Sequence, residues 1–102
     1  MKKCICDIET DGIENCKHIW CCVCRDVDTD ELKVFREGDE EAAKEYFKEY
    51  QRVIGHNFIG FDSYWLRTLW GIHIPVTNII DTLVFHFLRP VCPIFIMVFV
   101  YS

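Results

Sequence analysis

Apolar and polar positions alternate through the first third of the chain and then change period. Residues 3–8 form a short apolar run closed by Thr10-Asp11-Gly12, the composition of a turn. Residues 19–27 form a second run, rich in Ile, Trp, Val and Cys. Residues 32–35 form a third, beyond the polar turn Asp28-Thr29-Asp30. Such short connections predict three antiparallel strands in a meander. Gly38-Asp39 then opens a helix. Asp39, Glu40 and Glu41 place acids in its first turn, and Ala43, Phe47 and Tyr50 recur at helical spacing. Glu40 is expected to pair with Lys44 on a solvated face completed by Glu45, Lys48 and Glu49.

Val53-Ile54 begins a fourth strand, ended by Gly55-His56-Asn57. Following a helix, it is expected to lie parallel to the first strand. Residues 60–70 predict a second helix with Phe61, Trp65, Leu66 and Leu69 inward and Gly71 as its stop. Ile79-Ile80 reads as a short fifth strand. Residues 81–88 read as a third helix with Asp81 as N-cap and Pro90 beyond its end. This order predicts an α/β fold: a mixed sheet, made of an antiparallel meander plus parallel strands, flanked by helices.

Composition narrows the picture. A length of 102 residues allows one small domain, and 51% hydrophobic residues exclude a disordered chain. The net charge of −5 argues against a passive basic nucleic-acid binder. It leaves room for an enzyme that reaches phosphates through bound cations. Every charged residue falls between Lys2 and Arg89, which suggests a domain over residues 1–89 and an uncharged apolar tail over 90–102. The apolar run 94–101 is far shorter than the ~20 residues of a membrane-spanning helix. The N-terminus has no apolar stretch of signal-peptide length, so a cytoplasmic protein with no membrane partner is expected.

Cysteine is abundant: Cys4, Cys6, Cys16, Cys21, Cys22, Cys24 and Cys92. Their odd number argues against a disulfide framework. Cys21 and Cys24 have Cys-x-x-Cys spacing, but no second pair follows at finger-like distance. Cys4 and Cys6 share one strand face, as do Cys22 and Cys24, and we read most of the cysteines as small buried hydrophobes. His18, His73 and His86 are scattered and take no assigned role. Trp20, Trp65 and Trp70 are expected in the core.

Asp7 and Glu9 carry the chemistry. One residue apart on a strand, they project from the same face ~6.5 Å apart, while Ile8 joins Cys4 and Cys6 on the other. Mutual repulsion makes the pair costly unless a divalent cation lies between them. A solvated strand end is the plain alternative. Asp62, in the segment His56-Asn57-Phe58-Ile59-Gly60-Phe61-Asp62, would start the second helix. If the fourth strand lies beside the first, Asp62 comes near Asp7 and Glu9. Singly, Asp62 also reads as an acid at a helix start and Asn57 as a turn residue.

Asp7-Ile8-Glu9-Thr10, followed by His56-Asn57-x-x-x-Phe61-Asp62, resembles the first two motifs of the DEDD-superfamily 3′–5′ exonucleases. The resemblance is best to the proofreading domain of phage-type family A DNA polymerases. Ile79-Ile80-Asp81-Thr82-Leu83 resembles the Ile-Asp-Thr-Leu segment that follows there. The resemblance covers about residues 3–89 and implies a ribonuclease H-like fold. It further implies two-metal hydrolysis of the terminal phosphodiester with Mg²⁺ or Mn²⁺. By the resemblance, Asp7 would bridge two ions, Glu9 would bind one and orient a water, and Asp62 would hold the second. Thr10 and Asn57 would contact the terminal nucleotide, with His56 and Phe61 on the substrate side. The expected partners are a single-stranded 3′ end of DNA and, in a larger protein, the polymerase domain.

The chain departs from that pattern at the third motif, which supplies a fourth Asp preceded four residues earlier by Tyr or His. No acid follows Asp81 here, and Pro90 stands four residues after His86. The fourth ligand and the general base are missing from the sequence, so the domain is expected to be C-terminally incomplete, as in a truncated or frameshifted product. Whether the chain is an active enzyme therefore stays open. Two other readings remain: a non-catalytic fragment of the same fold that binds metal or single strands, and a cysteine-rich zinc or interaction module.

Overall fold

The structure, a computed structural model, describes residues 1–84. Its elements follow the predicted order. They are β1 (Lys3–Thr10), β2 (Ile19–Asp26), β3 (Leu32–Arg36), α1 (Glu40–Lys48), β4 (Arg52–Gly55), α2 (Ser63–Trp70) and β5 (Ile79–Asp81). A π-helical turn, Phe58–Asp62, leads into α2, and a 3₁₀ turn, Val76–Asn78, leads into β5. The sheet order is β3-β2-β1-β4-β5, with β3, β2 and β1 antiparallel and β4 and β5 parallel to β1. This is the α/β mixed sheet with helices that the sequence predicts. Residues 82–84 begin a helix after β5. The remainder of the predicted third helix, His86, Cys92 and the tail lie outside the described residues.

Strand alternation sorts β1 cleanly. Cys4, Cys6 and Ile8 face the core, and Ile5, Asp7 and Glu9 face out. The core continues through Ile19, Cys22 and Cys24 of β2, Phe35 of β3 and Val53 of β4. Ala43 and Phe47 of α1 and Leu66 and Trp70 of α2 belong to the same cluster. α2 ends where Gly71 enters the left-handed region at φ 68°, the conformation a glycine takes at least cost. Asp26, at the end of β2, accepts the Tyr50 hydroxyl at 2.7 Å and the amides of Asp28 and Thr29. The Thr29 amide foremost, with the Tyr50 hydroxyl, holds its carboxyl down to about 2.

Three expectations change. Trp20 is not in the core but 62% exposed. The register slips between Glu9 and Thr10, so that Thr10 pairs with Ile19 while Glu9 pairs with Cys21. This bulge turns Trp20 outward and gives its core position to Ile19. Trp65 is half-buried and Trp70 buried, as expected. Lys44 pairs with Glu41 at 3.7 Å, one turn back, rather than with Glu40. The second helix enters through the π turn, so regular α-helix begins at Ser63 and not at Gly60.

Candidate active site

β1 and β4 run side by side for three residues, with Lys3, Cys4 and Ile5 facing Arg52, Val53 and Ile54. β4 stops at Gly55, so the edge of β1 continues past its neighbour with open backbone donors. Asp62 fills that gap: its Oδ2 accepts the Ile8 amide at 3.1 Å. The carboxylate is thereby fixed to the strand that carries Asp7 and Glu9, at the peptide between them. The turn that delivers Asp62 is tightly packed at Gly55, and at Gly60 the neighbouring Asn57 side chain is close but can move. A Cβ on Gly55 would lie 2.6 Å from Phe58 Cδ2 and 3.0 Å from the Cys6 carbonyl. A Cβ on Gly60 would lie 2.7 Å from Asn57 Oδ1.

The electrostatics separate the three acids. Asp7 and Glu9 are exposed, whereas Asp62 is buried. Burial pushes the Asp62 carboxyl up to about 7, and the negative charge of Asp7 adds to the rise, against the pull of the Ile8 amide. Asp62 thus changes charge near neutral pH. Among the described residues these three carboxylates do not close as a group to within 4.8 Å; the trio that does is Cys6, Cys22 and Cys24.

The expected substrate-side residues divide. Thr10 is engaged in its own loop: its Oγ1 donates to the Gly12 carbonyl at 2.6 Å, and Cys16 Sγ lies 3.5 Å away. His56 turns toward β5, with Nδ1 2.9 Å from Thr82 Oγ1. Asn57 adopts the left-handed conformation at φ 54° and braces the turn, its carbonyl accepting the Phe61 amide at 3.0 Å. Phe61 is half-buried and meets Trp65 edge to face, with ring centres 6.5 Å apart. The two rings line an open groove of about 450 Å³ together with Ile13, Glu14, Asn15, Gly60 and Tyr64.

Asp81 has a wider role than the helix cap the sequence suggests. Its Oδ1 does accept the Leu83 amide at 2.9 Å, which is the cap. The same oxygen accepts the Asn57 amide at 2.9 Å, and Oδ2 accepts the Ile59 amide at 3.0 Å. A buried carboxylate on β5 thus clamps the turn that carries Asp62. The signal was an acid at the end of an apolar strand in register with Gly55, and the register appears only in three dimensions.

The mixed sheet carries Asp7 and Glu9 on its central strand, with Asp62 bonded to the peptide between them. A sequence model of the RNase H superfamily matches residues 4–90, and the chain belongs to that superfamily. A comparison with curated proteins finds no match. Nucleases of this superfamily typically use divalent metal ions, and the donor set here suits them: three carboxylates offer hard oxygen ligands. Among the described residues no helix is long and apolar enough to cross a membrane.

Proposed function

We propose that the chain is the 3′–5′ exonuclease domain of a DNA polymerase, with Asp7, Glu9 and Asp62 as the residues that hold Mg²⁺ or Mn²⁺. The observation that supports this best is the hydrogen bond from the Ile8 amide to Asp62, which joins the two acidic motifs across 54 residues of sequence. Carboxylates alone repel a phosphodiester. Bound divalent ions would supply an activated water and neutralise charge on the attacking and leaving oxygens. Asp62 gives up its proton near neutral pH and then offers both oxygens, one already oriented by Ile8. The groove beside Phe61 and Trp65 offers ring faces and edges to an unpaired terminal base. Asn57 and Asp81 keep the Asp62 turn rigid.

A second reading, binding without turnover, draws on one fact: no acid follows Asp81 in the sequence, so the fourth carboxylate of the exonuclease pattern is absent from these 102 residues. Activity of the isolated chain is therefore expected to be weak or nil. A 3′-labelled single strand with Mn²⁺ tests both readings. Mononucleotide release that disappears in Asp7→Ala supports the exonuclease. Metal-dependent retention of the strand without release supports binding alone. Neither release nor retention overturns both.

A further inference from the structure

On the core face of β1 and β2, opposite the face that carries Asp7 and Glu9, sulfur gathers. In the antiparallel register Cys6 stands opposite Cys24, and Cys22 stands opposite Ile8. The Cys6 and Cys22 sulfurs are 3.5 Å apart and those of Cys22 and Cys24 3.8 Å, and all three lie within 4.8 Å of one another. None of the three is more than 2% exposed. No disulfide joins them; each is a free thiol.

We propose that Cys6, Cys22 and Cys24 form a three-thiolate site for one Cu(I) ion, separate from the carboxylate cleft. An ion in the plane of three sulfurs, at a metal–sulfur distance of ~2.3 Å, sets them ~4 Å apart. The Cys6–Cys22 and Cys22–Cys24 separations of 3.5 and 3.8 Å fall a little short of that value, so the sulfurs need only spread slightly by side-chain adjustment. Thiolates select soft ions, Cu(I) and Zn²⁺ among them. Zinc in a structural site takes four ligands. Cys4, the next sulfur on this face, interacts with Cys24 but does not come within 4.8 Å of all three sulfurs, and burial leaves no access for a water as the fourth ligand. Three-coordination by sulfur alone favours Cu(I).

A second observation points the same way. The Tyr46 hydroxyl is buried without a well-formed hydrogen bond, beside the Tyr50 hydroxyl and within electrostatic reach of Cys4 and Cys24. A buried unpaired hydroxyl within electrostatic reach of a ligand thiol is better compensated once that thiol becomes a metal-bound thiolate. On binding, each ligand sulfur exchanges its S–H bond for a Cu–S bond and the proton leaves to solvent. Copper stays Cu(I) throughout, so no oxidant or reductant is consumed.

The site is closed in the folded protein, so the ion enters as the chain folds. The test is to refold the reduced chain without oxygen, with one equivalent of Cu(I) held by a weak chelator. The expected result is one copper retained per chain, a melting temperature above that of the metal-free refolded protein, and three sulfurs around copper by X-ray absorption. Cys21→Ser, outside the trio, keeps the copper, and Cys22→Ser loses it. If Cys22→Ser does not fold, the unaltered chain decides. Copper left in the chelator, a melting temperature lowered by copper, or preferential uptake of zinc with four sulfurs overturns the proposal.

Discussion

Replacing Asp62 by Asn tests whether the buried carboxylate governs stability as its surroundings require. The amide side chain keeps an oxygen for the Ile8 amide but cannot ionise. In the folded protein the Asp62 carboxyl titrates at about 7, against an ordinary value of 3.8, because burial disfavours its charged form. The unfolded chain therefore ionises first as pH rises. Stability is full below about pH 4 and drains away up to about pH 7. A shift of about three pH units corresponds to ~4 kcal/mol at most, at ~1.4 kcal/mol per unit. Solvent screening at the cleft mouth reduces this to ~2–3 kcal/mol. For a domain of this size that is a fall in melting temperature of roughly 10 °C or more between pH 4 and 7.5. Thermal melts of the unaltered protein and Asp62→Asn across this range give the comparison. The two should converge at low pH, with the Asn variant the more stable at pH 7.5. A difference between them that does not change with pH refutes the reasoning.

Other consequences are open to measurement. Mn²⁺ should raise the melting temperature of the unaltered protein more at pH 8 than at pH 6, since the metal competes with the Asp62 proton, and chelation should reverse the gain. Gly55→Ala should cost ~1–3 kcal/mol in denaturant titration, because its Cβ would meet the Phe58 ring and the Cys6 carbonyl. Asp81→Ala should cost ~3 kcal/mol by leaving the amides of Asn57, Ile59 and Leu83 without their acceptor, and should speed amide exchange in the Asp62 turn. Trp20→Ser should change stability by no more than ~0.5 kcal/mol, whereas Trp70→Ala should cost ~3–5 kcal/mol, as their exposed and buried positions require.

Strand periodicity and turn composition were enough to order β1 to β5 and to place Asp7 and Glu9 on one face. These are local signals, and each follows from backbone geometry a few residues wide. The parallel placement of β4 beside β1 was also legible, because a helix between two strands brings the second back alongside. What escaped were events of register. The bulge that expels Trp20 depends on how Thr10 meets Ile19 across the hairpin. The clamp at Asp81 depends on its standing opposite Gly55. Neither pairing leaves a trace in the spacing of either segment alone. The π turn Phe58–Asp62 escaped because nothing in its sequence distinguishes it from the start of the following helix; in the fold, Asp81 holds the amides of Asn57 and Ile59 at its entry.

The bond between Ile8 and Asp62 carries a mechanical consequence. A ligand held only by its own side chain can swing without disturbing its neighbours. Asp62 is fastened to a peptide group of the strand whose side chains on either side are Asp7 and Glu9. Any displacement of α2 therefore pulls on the main chain of β1, and any twist of β1 reorients all three acids together. The spacing of the three acids is gauged by a backbone amide that any side chain at position 8 except proline leaves in place.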